Sequence, residues 1–364
     1  MKRLVVERDL IRNNIAAVKK LADGKIIYGV LKGNGYGLGL MEMAEILRSE
    51  GIPAFAVTEP DDAYRLRDSG YIDEDILVMR STAIDEEAAK IVACNATATI
   101  GSNEAAVALN GIAGRQGNIT NAHIKIDTGM GRYGFLPSEI DKIISIYKYM
   151  PNINITGTYT HFNRSYGSKK TVDNQLKLFL QVVGEIKAAG FDPGLLHAAN
   201  SSAILKYPDT YLGAVRAGSV FLGRVGVKGD FGLKKVGYAE EQIVEIRWLT
   251  RGCTVGYGAK YRCRRMKRIG VVPFGYANGL GTGKAREIRD LGDFLGSIGS
   301  NFGRLLGRHR YTALIKGKRV PVLGRVGTLH VVLDLTDSDA SIGDYARFEV
   351  NPVIAGGMLP KMYV

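Results

Sequence analysis

Eight short β-rich runs alternate with helical patterns through the first two-thirds of the chain, and this alternation leaves few folds open. The runs are Ile26–Lys32, Ala54–Thr58, Asp75–Ser81, Ala96–Gly101, Ala122–Thr128, Thr156–Phe162, Leu195–Ser201 and Ala214–Val220. Each is an apolar stretch of strand length bounded by turn residues. Between them, apolar residues recur at helical spacing. Asp9 through Gly24 puts Leu10, Ile11, Ile15, Val18 and Leu21 on one side, and Ala63 and Leu66 with a stop at Gly70 give a shorter helix. Asp173 is placed to cap a helix with Leu176, Phe179, Leu180, Val183 and Ile186 on its apolar face, ending at Gly190. Strands that alternate with helices pair in parallel. Eight of them over about 210 residues match an α/β fold of the (β/α)8 barrel type better than an open doubly wound sheet. An open sheet usually offers an early G-x-G-x-x-G fingerprint, which Gly33-Asn34-Gly35-Tyr36-Gly37 is not.

After about Gly232 the pattern changes. Gln242–Leu249, Ile269–Phe274, Arg319–Val322 and His330–Leu335 are short, β-branched and separated by turns, as in an all-β domain. A chain of 364 residues is also too long for one small core. We therefore expect a barrel over 8–232 and a β-strand domain over 233–364, which residues 1–7 can join. The glycine-rich stretch from Gly281 to Gly317 is expected as an extended loop with one short helix.

The net charge is +13, and nine Lys/Arg against three acids fall between Gly281 and Val320. No zinc finger, helix-turn-helix or RNP-type motif accompanies them, so a solvated basic surface or a field for small anions fits better than a nucleic-acid site. No apolar run approaches the roughly 20 residues that span a bilayer. The N-terminus is charged again too soon for a signal peptide. Three cysteines, Cys94, Cys253 and Cys263, lack zinc-type spacing. The expectation is a cytoplasmic protein without membrane, nucleic-acid or metal partners.

In a barrel, chemistry sits where strands end. The first run delivers Lys32 at the C-terminal lip of a strand. Partial desolvation there makes an amine easier to deprotonate, and a neutral lysine can form a Schiff base; a lysine that snorkels at a strand end is the other reading. The fifth run carries Lys125, which on its own reads as an outward-facing solvated lysine, and leads into Asp127-Thr128-Gly129-Met130-Gly131-Arg132. The sixth ends in Thr160-His161, the seventh gives His197 and Asn200-Ser201, and the eighth carries Arg216 and Gly218. Cations, hydroxyls, imidazoles and turn amides on one face suit an anionic, phosphate-bearing ligand. Neither an acidic metal cluster nor a close carboxylate pair is present.

Seven ordered segments resemble the alanine racemase family. Val30 to Gly37 looks like its pyridoxal phosphate lysine motif, and His123 to Phe135 like its more specific central motif. His197 to Ser201, Val215 to Gly218, Val255 to Gly258, Gly275 to Gly279 and Gly324 to Val326 follow in family order. The resemblance implies pyridoxal 5'-phosphate held as an imine on Lys32. By the same resemblance Tyr36, Ser201 and the amides of Gly218 and Ser219 take the phosphate, with Asn200 and His161 in the same cofactor set. Arg216 faces the pyridine nitrogen, and Arg132 the phenolic oxygen. Lys125 matches a lysine that is often carbamylated. Racemisation needs a base on each face of a planar carbon, and the resemblance assigns these to Lys32 and to Tyr257 from a second subunit of a homodimer. Alone, Tyr257 reads as a packed or turn tyrosine. Arg132, Tyr276 and Thr328 form the substrate set.

The sequence also departs from the family. Gly33, Gly35 and Leu38 stand where Ala, Ala and His are usual. Thr328-Leu329 replaces a Met-Asp pair that lies near the substrate carboxylate, and Gly357 aligns close to a tyrosine that narrows the entrance. The run from Gly279 to Gly324 is longer than usual by roughly twenty residues. The expected activity is a two-base amino-acid racemase, with alanine as the first substrate. Serine or a larger or charged amino acid is the alternative, and a barrel-type pyridoxal phosphate decarboxylase the more distant one.

Overall fold

The computed structural model describes residues 1–52, 54–282 and 311–364. The chain divides into two compact units, Arg8–Val236 and a second made of Met1–Glu7 with Gly237–Val364.

The larger unit is a closed barrel of eight parallel strands: Ile26–Val30, Ala54–Val57, Asp75–Val78, Ala98–Ile100, Thr120–Ile126, Ile153–Thr160, Leu195–His197 and Ala214–Ala217. The eighth strand pairs with the first, Tyr28 opposite Arg216. The third and fourth close the ring by a bridge at Leu77 and Thr97, where the Val78 amide donates to Thr97 and the Thr97 amide to Ile76, each at 2.9 Å. The eight expected runs all supply strands. They overshoot at their C-terminal ends because the residues there leave the sheet to build loops.

Two helices differ in detail from the expected pattern. The helix Lys169–Ala188 begins earlier and is capped by Ser168, whose hydroxyl accepts the Thr171 amide. Asp173, expected as the cap, lies a turn inside and pairs with Lys169 at 2.9 Å. The buried stripe is Val172, Gln175, Phe179, Val182, Val183 and Ile186, so Leu180 faces solvent. In the helix Arg8–Leu21 the buried stripe includes a polar residue, Asn14. Its amide donates to the carbonyls of Phe221 at 2.9 Å and Lys234 at 2.7 Å, and its oxygen accepts the Lys234 amide at 2.7 Å. One side chain thus satisfies three backbone groups and ties the first helix to the end of the barrel sequence.

The smaller unit is built on a nine-stranded sheet. The strand Arg3–Val6 lies between Tyr238–Gln242, antiparallel, and Lys361–Tyr363, parallel. The expected run Gln242–Leu249 splits into Tyr238–Gln242 and Glu245–Leu249. A separate hairpin pairs Thr254–Val255 with Tyr261–Arg262. Of the basic excess, Lys316, Lys318 and Arg319 are exposed on the hairpin Thr312–Ile315 and Lys318–Leu323, with Lys316 on Asp344 at 2.7 Å. The remainder, with most of the loop expected from Gly281 to Gly317, lies outside the described residues. Among the described residues no helix is long and apolar enough to cross a membrane, and no group of three metal-ligating side chains occurs.

Replacing Asn14 by Ala strands the buried Phe221 carbonyl, at a cost of about 1–3 kcal/mol, and frees two part-buried Lys234 backbone groups at a smaller cost each. We expect urea unfolding of Asn14→Ala to show a loss of roughly 2 kcal/mol. A loss below ~1 kcal/mol would show that water replaces the clamp.

Candidate active site

Lys32 stands two residues past the end of the first strand and is half-buried, its Nζ 5.8 Å from the centre of the Tyr36 ring. The backbone that follows is left-handed through Gly33, Asn34, Gly35, Tyr36 and Gly37, with φ of 62°, 54°, 60°, 55° and 85°. L-residues with a Cβ pay roughly 1–2 kcal/mol each for this conformation, and the three glycines remove that cost at three of the five positions. Asn34 supports the turn by accepting the Leu40 amide at 2.9 Å. The glycine-rich segment is therefore a tight turn that drives the chain down and away beside Lys32.

Arg216, on the eighth strand, is only 2% exposed. Its Nη1 donates to His197 Nδ1 at 2.7 Å and to the His197 carbonyl at 3.3 Å. Its Nη2 donates to the carbonyls of Thr160 at 2.7 Å and Ala198 at 3.1 Å, with His161 Nδ1 at 3.5 Å. Its Nε is buried and has no partner. Burial pulls the guanidinium down to about 10, still charged at neutral pH. The arginine also sets two tautomers. Because His197 Nδ1 accepts, its proton sits on Nε2, which donates to His123 Nδ1 at 3.0 Å. Burial first, and then the Arg216 charge, hold His161 and His197 far below the ordinary histidine range; burial takes His123 to about 4. All three imidazoles are neutral at pH 7.

Lys125 and His123 alternate on the fifth strand, so both point into the barrel. Lys125 is 3% exposed, contrary to its reading as a solvated lysine. Its Nζ lies 5.3 Å from the Tyr133 ring centre and 5.5 Å from that of Tyr159. Burial first, then the cations of Arg132 and Arg216, lower its pKa to about 8. Asp127 shapes the loop that follows: its carboxylate accepts the amides of Gly129 at 2.8 Å, Met130 at 2.7 Å and Arg132 at 3.0 Å. Against the opposing effect of burial, these amides keep it below the ordinary carboxylate value. The loop presents the Arg132 side chain to solvent.

Tyr36, Ser201, Gly218 and Ser219 converge. The Ser201 hydroxyl accepts the amides of Gly218 at 3.0 Å and Val220 at 3.4 Å. A Cβ on Gly218 would stand 2.4 Å from the Tyr36 hydroxyl, so only glycine fits beneath that ring. Tyr36 contacts the Ser219 backbone, and burial lifts its phenol to about 12. Asn200 caps the helix Ser201–Lys206 by accepting the Ala203 amide at 3.2 Å, and also accepts the Ser165 hydroxyl at 2.7 Å.

In the smaller unit, Tyr257 is 78% exposed in the loop of the small hairpin, between Gly256 and Gly258. Tyr276 is half exposed and its hydroxyl accepts the Thr328 hydroxyl at 2.8 Å. The Tyr276 and Ala277 amides donate to the carbonyls of Gly327 and Thr328, each at 3.0 Å. Gly275 permits this approach, since a Cβ there would lie 2.3 Å from the Gly327 carbonyl oxygen. Leu329 is 46% exposed, and a Cβ on Gly357 would meet nothing nearer than 3.8 Å.

Several supporting residues escaped the sequence reading. Tyr28 stacks on His197 at 5.5 Å and donates to Asp75, while Tyr159 stacks on the same ring at 4.6 Å. Gln175 donates to the Thr128 carbonyl at 3.1 Å. The signal for Gln175 was one polar residue in an apolar helical stripe; for His123 it was the two-residue spacing from Lys125.

Two family models cover this chain: the alanine racemase N-terminal domain over residues 6–225 and the alanine racemase C-terminal domain over 236–351. Among curated relatives, alanine racemase of Carboxydothermus hydrogenoformans is 33% identical over 91% of this chain and 85% of its own length. That of Methanococcus maripaludis is 30% identical over 93% and 86%. Among solved structures, alanine racemase of Clostridium difficile 630 matches with a TM-score of 0.83 and 26% identity, covering all of this chain and 95% of that one.

The lowered pKa of Lys125 makes stability depend on pH. Below about 8 both folded and unfolded chains hold the proton, and the fold bears the cost of a buried charge. Between about 8 and the ordinary 10.5 the unfolded chain binds it better, so this contribution to stability rises with pH. In bicarbonate-free buffer without cofactor, Lys125→Met should exceed the natural chain in unfolding free energy at pH 7 by up to about 3 kcal/mol. That advantage should vanish by pH ~10.5, and a pH-independent difference would disprove the assignment.

Proposed function

The chain belongs to the alanine racemase family and is an isomerase of that family, and from that premise we propose that it racemises alanine by a two-base reaction on pyridoxal phosphate. The barrel, residues 8–232, is the cofactor domain in this reading; residues 233–364 with 1–7 form a second domain that supplies Tyr257 to another copy of the chain.

The observation that carries the cofactor is the buried Nε of Arg216 without a partner. Four of the five guanidinium donors are satisfied by protein, and the fifth is available to the pyridine nitrogen. Ser201, Tyr36 and the Gly218-Ser219 backbone make the cradle for its phosphate, with Asn200 fixing the helix that starts beside it. Lys32 would hold the aldehyde carbon. When bound, pyridoxal phosphate supplies the electron sink that lets an α-hydrogen leave as a proton.

The protein's own groups do the rest. Arg216 stays protonated at neutral pH, and its Nε would meet the ring nitrogen as a donor that does not give up its proton, which would restrain reaction at the wrong carbon. Lys32 Nζ exchanges the α-proton on one face and Tyr257 Oη on the other. Neutral His161 lies beside Arg216 and orients the groups around it. Arg132 would take the cofactor's phenolic oxygen, and Arg132, Tyr276 and Thr328 are the residues we assign to the substrate. Lys125, a buried amine with a pKa near 8, is chemically suited to carbamylation, which would give Arg132 an anionic partner. Alanine is favoured by the relatives' shared name. The hydroxyl pair of Thr328 and Tyr276 and the open Gly357 favour tolerance of polar or larger side chains.

A panel of L-amino acids in deuterated water, read by proton NMR and chiral chromatography, tests the reaction. L-Alanine should lose its α-proton signal as the D-isomer accumulates. If no amino acid exchanges, the racemase reading fails; if another exchanges faster than alanine, the substrate assignment fails.

Tyr257→Phe should keep the bound cofactor's absorbance and lose interconversion in at least one direction. Mixed and reassociated with inactive Lys32→Ala, it should regain about a quarter of natural activity, because half the dimers would hold one intact site of two. No recovery would place both bases in one chain.

A further inference from the structure

The proposed reaction leaves two cysteines of the smaller unit unused, yet they face one another. Pairing of Thr254 with Arg262 and of Val255 with Tyr261 puts Cys253 opposite Cys263. The Cys263 amide donates to the Cys253 carbonyl at 2.8 Å, and the Gly252 amide to the Cys263 carbonyl at 2.8 Å. With Gly252 at φ 93°, this is a glycine bulge that stops the ladder at the cysteine pair. Arg262 fastens the bulge by donating to the Gly252 carbonyl at 2.9 Å. Across the bulge the pair exchanges one ladder bond, while the Cys253 amide donates to the Thr250 carbonyl at 3.3 Å. Opposed residues of an antiparallel pair share a face, with Cα atoms roughly 4.5–5.5 Å apart, inside the range that disulfides span. Both side chains pack on the cluster of Val255, Ile269 and Leu323. Burial first, and then the adjacent Cys253 thiol, push Cys263 above the ordinary thiol value.

We propose that Cys253 and Cys263 form a reversible cross-strand disulfide that closes the base of the loop carrying Tyr257 and slows the enzyme under oxidation. The functional half of this proposal rests on the reading of Tyr257 as a base; the disulfide itself does not.

The oxidant is a peroxide. Cys253 is half-buried and Cys263 is 1% exposed, so Cys253 reacts first. Its thiolate attacks one peroxide oxygen, the O–O bond breaks, and a sulfenic acid and one water result. The Cys263 sulfur then attacks the Cys253 sulfur, the S–O bond breaks, and hydroxide leaves with the thiol proton as a second water. Two thiols lose two electrons and two protons, and hydrogen peroxide becomes two waters. A dithiol reverses the link by exchange. The link locks a loop whose conformation depends on Gly256 at φ 74°, Gly258 at 72° and Ala259 at 48°. Small displacements of a reacting group are costly to rate.

Holoenzyme treated with dilute hydrogen peroxide, alkylated, and digested with trypsin without reduction tests this. Cleavage after Arg251, Lys260, Arg262 and Arg264 would leave residues 252–260 and 263–264 joined only by the disulfide. That linked mass is expected, with Cys94 alkylated in full. In parallel kcat should fall roughly tenfold, with the bound cofactor's absorbance unchanged, and recover with dithiothreitol. Cys253→Ser, the less buried of the pair, should fold, show no linked peptide and resist peroxide. Alkylation of both cysteines after treatment, or sulfinic acid at Cys253 without linkage, overturns the proposal, as does a linked enzyme with unchanged kcat. Full two-way activity of Tyr257→Phe would fault the reading of the tyrosine and leave the linked mass standing.

Discussion

A buried guanidinium organises this protein. Arg216 sits in the barrel wall with no ion pair to a carboxylate among the described residues, and its charge is balanced by carbonyl dipoles and a neutral imidazole. Burying a charge this way is costly unless nearly every donor is met. The constraint spreads outwards. His197 must accept, so it must donate to His123, and the aromatic rings of Tyr28 and Tyr159 fix the plane of His197 from the side. A change in the protonation of either histidine would set like charges together. The low pKa of these histidines follows from the arginine's presence as well as from burial, and it keeps the whole layer in one hydrogen-bonding state.

The barrel was legible because parallel strands buried on both faces read as continuous apolar runs, and helices between them carry a different period. The catalytic candidates were legible because strand ends are where a barrel exposes chemistry. The polar interior was not. Single-residue reasoning gives Lys125 and the histidines their average behaviour, which is solvation or quiet structural use. Only the closed ring shows that residues 123 and 125 on the fifth strand, 197 on the seventh and 216 on the eighth meet inside. Helix ends were also missed where two caps compete: Asp173 is a good cap by type, but Ser168 lies where the apolar stripe starts.

The departures from the family pattern fall into two physical kinds. Gly33 and Gly35 relieve a backbone that is left-handed at five successive residues, so their effect falls on backbone strain. Thr328 is different. It replaces no backbone role, because the Gly327 and Thr328 carbonyls still receive the Tyr276 and Ala277 amides. Its hydroxyl instead spends its proton on the Tyr276 oxygen, which holds that ring in place by a bond a methionine could not make. In the proposed reading, selectivity on this unit would be set by a pair of hydroxyls on a fixed backbone frame.

The strand Arg3–Val6 is clasped between Tyr238–Gln242 and Lys361–Tyr363. Its two partners lie more than two hundred and more than three hundred residues further along the chain. The barrel needs only residues 8–236 and can assemble while synthesis continues. The nine-stranded sheet of the smaller unit is complete only once the strand Lys361–Tyr363 has paired with Arg3–Val6. Without Lys361–Tyr363 the strand Arg3–Val6 would itself become the sheet edge, the kind of surface that pairs with other chains. The topology thus makes the fold of this unit depend on strand pairings that span almost the whole sequence, the kind of contact that forms slowly.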